Sequence, residues 1–234
     1  MVPFFGIPLI ERQLKTFNSA GINDITIVGG YKAESLKVLN LNTVLNKKFA
    51  VTNMVFTLFC AEKAIKANED LIISYGDILF EPKVLSALIS SDAAISVIVD
   101  RTWLNLWSER MDNPLQDAET LKLDGDRIIE IGRKPTSYSD IQGQYIGLIK
   151  VSAAYVNDFI STWHALDKNV KYDGKDFDNM YMTDFIQYLI DSGWDTRAAF
   201  IDSGWLEVDT VEDLQCYERM NIAGNLKKLY DFEK

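Results

Sequence analysis

An α/β fold is predicted, with a mostly parallel, Rossmann-like sheet flanked by helices and a hairpin-containing elaboration in the second half. Three observations predict it. Short β-branched runs alternate with helical-period segments through the first hundred residues, the rhythm that places helices on both faces of a parallel sheet. The apolar run Leu71–Ser74 leads directly into Tyr75-Gly76-Asp77, so a carboxylate stands just past a strand end, where open sheets place ligands. Asp124-Gly125-Asp126 separates two further strand-like runs, the pattern of a tight hairpin.

The elements follow in order. Leu9, Ile10, Leu14 and Phe17 recur at helical spacing, and Gly21 suits the helix C-cap. Residues 25–28 read as a strand ended by Gly29-Gly30, and Ala33–Leu39 as a helix. A helix is predicted over 55–67 and a strand over Leu71–Ser74. Pro82 fits the first turn of the next helix, and 94–99 is an apolar strand. The hairpin comprises 120–123 and Arg127–Ile131, followed by a strand over Gln144–Val151. Helices are predicted over 156–166, 182–192 and 211–218. The last one has the pattern to run on toward Lys234, with a far end suited to a neighbouring subunit in a homo-oligomer. No repeat, low-complexity tract or linker divides the chain, so one continuous domain is expected.

The 234 residues include 47% hydrophobic and 25% charged side chains, enough apolar material for a sizeable core. With 24 basic and 34 acidic residues the formal charge is −10, which argues against a broad nucleic-acid footprint. No apolar run approaches the ~18 residues of a membrane span. The opening MVPFFGIPLIERQ lacks the basic and long apolar parts of a secretory signal. Cys60 and Cys216 are isolated, giving neither a disulfide framework nor a zinc pair, and a cytoplasmic location is expected.

Asp77 is the most informative carboxylate; the alternative is an ordinary loop or N-cap aspartate. In Trp205-Leu206-Glu207-Val208-Asp209-Thr210, two acids at i and i+2 share one face of a strand. With Asp77 they have the oxygen-ligand chemistry of a Mg²⁺ site shared with phosphates. The competing role for Asp209 or Thr210 is to cap the helix that starts at Val211, and the two roles are compatible. Arg133-Lys134-Pro135 offers paired cations before a stiff turn, with Lys134 suited to a phosphate, although a solvated basic pair is the commoner case. His164 is the only histidine and reads as a surface or packing residue, and Cys60 as inert core. Trp103, Trp107, Tyr145, Tyr155, Trp163, Tyr172, Tyr181, Trp194 and Trp205 concentrate in the second half. Most such rings serve as core, and some suit cation–π capture of a quaternary ammonium.

Taken in order, GIPLIERQLKTFNSAGINDITIVGGYKAE, TNMVFTLFCAEKAI, LIISYGDILFEP, GRKPTS, GQYIGLIKVS, YMTDFIQYLI and WLEVDTVEDL resemble the nucleotidyltransferase family. That family includes sugar-1-phosphate nucleotidylyltransferases and phosphocholine cytidylyltransferases. The resemblance spans nearly the whole chain, and TNMVFTLFCA and WLEVDTVEDL are most similar to the cytidylyltransferase branch. It implies a nucleotide-diphospho-sugar-transferase-like fold over residues 1–234, with the N-terminal part on the nucleotide side and about 100–205 on the acceptor side. It also implies a Mg²⁺-dependent enzyme that joins CTP to a phosphorylated small acceptor, such as phosphocholine or a related aminoalkyl phosphate or phosphonate, and releases pyrophosphate.

On that resemblance Asp77 holds Mg²⁺ with Glu207 or Asp209. Lys134 holds the acceptor phosphate and, with Asp77, carries catalysis. Asn53, Met54 and Gly76 meet the nucleotide. Gly147, Asp184 and Tyr145 line the acceptor. Family members carry a strand and a glycine-rich GxGxR-type loop closed by a Pro-Lys pair ahead of the segment matching VPFFGIPLIERQ. Here the sequence opens at that segment, and position 7, often Lys in the family, is Ile7. The expectation is a chain lacking that strand and loop, either shortened or folding without them at reduced activity. The alternatives are a non-catalytic nucleotide-binding relative and a sugar-1-phosphate nucleotidylyltransferase. A dinucleotide oxidoreductase is disfavoured because GxGxxG is missing, and a glycosyltransferase because no DxD stands at Asp77.

Overall fold

The computed structural model describes residues 1–232. A two-residue ribbon, β1 (Pro3–Phe4) and β2 (Ile7–Pro8), turns through Gly6 and leads into α1 (Leu9–Ser19). Gly21, at φ +82°, ends α1: its N–H reaches Asn18 O and that of Ile22 reaches Phe17 O. β3 (Thr26–Gly29) is followed by a 3₁₀ segment, Ala33–Leu39, and β4 (Asn42–Leu45). Next come α2 (Met54–Cys60), β5 (Leu71–Ser74), β6 (Ile78–Phe80), α3 (Pro82–Ile89, with Pro82 in its first turn) and β7 (Ile95–Asp100). The second half holds α4 (Leu104–Arg110), the hairpin β8 (Leu121–Asp124) and β9 (Arg127–Ile131), and β10 (Gln144–Val151). It closes with α5 (Val156–Ala165), α6 (Met182–Asp191), β11 (Thr196–Ile201), β12 (Trp205–Glu207) and α7 (Val211–Ile222).

The central sheet has six strands in the order β5-β10-β7-β11-β9-β8, flanked by helices. It is α/β as predicted, and its pairing is mixed. β5, β7, β11 and β8 share one direction, but β10 and β9 run against them, so β7–β11 is the sheet's one parallel neighbour pair. The departure has a simple cause: β10 enters between β5 and β7 rather than extending the hairpin, and reverses the ladder on both sides. β3 and β4 form a separate parallel pair, and among the described residues neither is hydrogen-bonded to the six-stranded sheet.

The core lies on both faces. All six residues of β7 are buried, with Ile98 packed among Leu85, Leu88 and Trp205 on one face, and Ile95, Val97 and Val99 facing Val156, Phe159 and Phe185 on the other. Four of the five tryptophans, Trp103, Trp107, Trp163 and Trp205, are buried core residues, which assigns them to packing. Trp205 donates through Nε1 to Asp100 Oδ2 at 2.8 Å, which ties β12 to the end of β7.

Two helix extents differ from expectation. The helix predicted over 55–67 ends at Cys60, because Ala61 O accepts from Ala64 N in a separate 3₁₀ turn (Glu62–Ala64) and Ile65 is extended. The last helix stops at Ile222, where Gly224 takes φ +72°. Leu226, Leu229 and Tyr230 then fold back into this chain's own core, which corrects the expectation of one helix running on past residue 222.

Candidate active site

The turn after β5 carries Asp77, and pairing of β6 with β12 sets Ile78 opposite Glu207; Val208 N–H donates to Asp77 O at 2.8 Å. Residues 75–78 are also held from α1, whose buried Gln13 donates through Nε2 to Tyr75 O at 2.9 Å and to Ile78 O. Two of the acids read from the sequence therefore meet Asp77 at one sheet end. Asp77 Oδ1 is buried and has no hydrogen-bond partner. Burial, then the charge of Asp209, pushes the Asp77 carboxyl above its ordinary range, against its own backbone N–H and Arg110.

Arg110, at the end of α4, organises the rest. Its side chain is 3% exposed and reaches Glu207 Oε2 through Nη1, Asp209 Oδ2 through Nη2 at 2.6 Å, and Asp213 Oδ1 through Nε at 2.9 Å. Asp213 also accepts from the N–H groups of Asp209 and Thr210, and Thr210 caps α7 in a reciprocal capping box. The capping role foreseen for Thr210 and the clustering of the acids therefore hold together. Burial lifts Glu207 to about 7 against the pull of Arg110. Burial opposes ionisation of Asp213 too, but Arg110 and the Thr210 N–H hold it below the usual carboxylate range. Four carboxylates face one guanidinium, an anionic surplus.

No group of three His, Cys, Asp or Glu side chains is arranged as a metal cage among the described residues. The unpartnered oxygen of Asp77, beside the 45% exposed Asp209, fits a hard cation that takes one or two carboxylates and shares its remaining positions with phosphate. Glu207 is committed to Arg110.

Gly147 and Tyr145, expected on the acceptor side, and Met54, expected on the nucleotide side, meet at Tyr75. Gly147 takes φ +82°, and a Cβ there would lie 2.5 Å from the Tyr75 ring, so only glycine admits that ring. Tyr75 N–H donates to Gly147 O at 2.9 Å, and the Tyr75 and Tyr145 rings meet edge to face at 5.8 Å. The Tyr75 hydroxyl donates to Met54 Sδ at 3.0 Å; Asn53 is the N-cap of α2 and accepts from Met54 N–H. The Tyr145 hydroxyl is buried beside the Tyr75 phenol and makes no hydrogen bond of ordinary geometry. Gly76 has open space where a Cβ would stand and no positive φ, so its glycine answers no need of this chain's own packing.

Asp184 caps α6 by accepting from Tyr181 N–H at 2.9 Å, and pairs with Lys175 at 3.2 Å. Burial raises its carboxyl in spite of those contacts. Lys134 is not brought to Asp77: its amine donates to Gln116 O. His164 is exposed and pairs with Glu62 at 2.9 Å, and both cysteines are free.

Sequence reasoning missed Arg110, Glu119 and Tyr75. Glu119 lies between the buried Ala118 and Thr120, and its backbone exchanges two hydrogen bonds with the Gln144 side chain. Thr120 N–H donates to Arg133 O, joining it to the Lys134 turn. No local pattern marks these residues. The one available signal is the acidic run 207–213, which has no basic residue before Arg219 to neutralise it.

Residues 1–130 match the family model of the MobA-like NTP transferase domain. A CTP:phosphoglutamine cytidylyltransferase from Campylobacter jejuni subsp. jejuni serotype O:2 is 42% identical over 224 residues, covering 92% of this chain and 88% of that protein. Among solved structures, an inositol-1-phosphate CTP transferase from T. maritima aligns with a TM-score of 0.73 at 18% identity, over 98% of this chain and 87% of that one. A Bacillus anthracis structure described as a glucose-1-phosphate thymidylyltransferase aligns at 0.68 and 15% identity, over 96% and 85%. The two structures share the fold. Family model and curated relative agree with the site's acidic, phosphate-suited chemistry: the chain belongs to the MobA-like NTP transferase domain family and is an enzyme of the nucleotidyltransferase class.

Proposed function

We propose that this chain is a Mg²⁺-dependent cytidylyltransferase that joins CTP to a phosphorylated small molecule. Phosphoglutamine, named for the Campylobacter relative, is the first acceptor to consider, and phosphocholine the next. The observation that carries the reading is Asp77: a buried carboxylate oxygen without a partner, at the end of a strand, inside an anionic cluster. Residues 1–234 act as one domain, with the nucleotide side toward Asn53, Met54 and Gly76 and the acceptor side within about 100–205.

Asp77 and Asp209 would hold Mg²⁺, with Glu207 kept in place by Arg110; the ion's chemistry is neutralisation of charge on the nucleotide phosphates. Arg110 fixes Asp209 and the neighbouring Glu207, so one of the two ligands is set before substrate arrives. Asn53 and Met54 lie against the base, and the open space at Gly76 admits the nucleotide close to the backbone. Lys134 leaves Gln116 O to take the acceptor phosphate as a mobile point charge. An acceptor phosphate oxygen forms the new bond to the α-phosphorus as the bond to the β-phosphate oxygen breaks, and pyrophosphate leaves. No side-chain nucleophile takes part. The protein contributes positioning and electrostatics.

Calorimetric titration of Mn²⁺ into the CTP-bound protein tests the reading. Asp77→Asn is expected to weaken metal binding at least tenfold, through loss of one charged ligand, with the fold intact. Unchanged metal affinity removes Asp77 from the site.

A further inference from the structure

Glu119 differs from three other sheltered carboxylates among the described residues. Asp100 accepts from the N–H groups of Thr102 and Ser203, Asp184 from that of Tyr181, and Asp213 from those of Asp209 and Thr210. Each of these acids secures a turn or a helix start. The Glu119 carboxylate secures nothing: it receives no backbone N–H, and its one hydrogen-bond contact is the Thr183 hydroxyl at a marginal 3.5 Å. Among the described residues no cation lies within ion-pair distance of it. Lys175 is engaged by Asp184 and Asp173, and Lys134 is turned to Gln116. Leaving a half-buried carboxylate without a counter-charge is costly, and a cationic ligand removes that cost.

Its backbone is nonetheless held firmly. Gln144 of β10 clamps it from both sides, and the neighbouring Thr120 is bonded to Arg133. Gly132, at φ +83°, lets the hairpin end close onto Thr183, where a Cβ would fall 2.4 Å from the threonine Cβ. The carboxylate is thus positioned by the fold and left open in its chemistry. A second observation points to the same ligand space. The buried Tyr145 hydroxyl makes no hydrogen bond of ordinary geometry and meets only the Tyr75 phenol, and Glu119 and Asp77 both lie near enough to bear on it.

We propose that Glu119 is the specificity-determining residue of the acceptor side, its carboxylate taking the cationic nitrogen of an ammonium-bearing phosphorylated acceptor while the Tyr145 hydroxyl pairs with a polar atom of the same molecule; this rests on the function proposed above. The charged and titratable groups facing Glu119 are Asp117, Asp184, Lys175 and the phenols of Tyr75 and Tyr145. Burial first, and then the charge of Asp184, holds its carboxyl up at about 7 in the free protein. An acceptor cation favours the ionised form, so binding of such acceptors strengthens as pH rises through 7.

The test compares kcat/KM for matched acceptors with saturating CTP and Mg²⁺. Phosphoethanolamine is set against n-propyl phosphate, phosphocholine against 3,3-dimethylbutyl phosphate, and phosphoglutamine against its deaminated counterpart. Wild type is expected to prefer the ammonium-bearing member by on the order of 10- to 100-fold, as loss of one charge-assisted hydrogen bond implies. In Glu119→Gln that ratio collapses toward one through KM for the acceptor, and its rise between pH 6 and 8 disappears; Glu119→Asp restores part of it. Equal losses on both members of a pair mark Glu119 as merely structural and overturn the inference, as does a preference that survives Glu119→Gln. Turnover without preference overturns the inference but leaves the function standing. Absence of turnover with every acceptor overturns the function, and the inference with it.

Discussion

Replacing Glu119 with Gln should make the free protein more stable, and only on the alkaline side. An ordinary glutamate titrates near 4.5, and this one is raised to about 7, with burial as the leading cause. Between those values the folded chain keeps a proton that the unfolded chain has lost, so stability falls as pH rises. Below about 4.5 both states are protonated and there is no penalty; above about 7 the penalty is complete. A displacement from 4.5 to about 7 is worth about 3 kcal/mol, and partial solvent access at Glu119 brings the expectation to about 1–3 kcal/mol. Gln keeps the shape and has no charge to desolvate. Urea unfolding of both proteins without ligands, at pH 4.5 and pH 8.5, measures the difference. Near-equality at pH 4.5 and an advantage of about 1–3 kcal/mol for the variant at pH 8.5 are expected. A difference that does not change with pH refutes the claim that an uncompensated carboxylate sits there.

Arg110→Met tests the acidic cluster. Removing the guanidinium leaves Asp213, 6% exposed, and Glu207, 23% exposed, without their cation. That should cost about 3–5 kcal/mol by denaturant unfolding, and millimolar Mg²⁺ should recover more stability in the variant than in wild type. A loss below ~1 kcal/mol contradicts the assignment of Arg110 as the shared counter-charge. Gly147→Ala places a side chain at φ +82° and a Cβ 2.5 Å from the Tyr75 ring. Backbone strain and overpacking together predict a loss of about 2–4 kcal/mol and a changed near-ultraviolet signal from Tyr75. An unchanged midpoint would mean that the ring is not confined by Gly147.

What the sequence made legible follows from what is local. The hairpin was readable because Gly125, at φ +65°, signals its own turn, and α7 because Thr210 and Asp213 are a capping box within four residues. β7 was readable as a continuous apolar run because both its faces are buried. β6 and β12 were harder: three residues each, they are strands because they pair with each other across more than a hundred positions. The reversal of β10 is likewise set by its two neighbours and not by its composition.

The site divides the same way. Asp77, Glu207 and Asp209 were visible at strand ends, and Gly147 through its matched segment. Arg110 was not, since its three partners lie about a hundred residues away. Glu119 is defined by the contacts it lacks, which no sequence pattern displays. Lys134 shows the converse: its segment marked it for phosphate, while in the free protein its amine rests on Gln116 O.

Pyrophosphate release by the purified protein, with Mg²⁺, CTP and a panel of acceptors headed by phosphoglutamine and phosphocholine, tests the central claim most directly. The account predicts stoichiometric pyrophosphate and a CDP-linked product with at least one ammonium-bearing acceptor, dependent on Mg²⁺ and lost in Asp77→Asn. Absence of pyrophosphate with every acceptor, or release that survives both metal removal and Asp77→Asn, contradicts it.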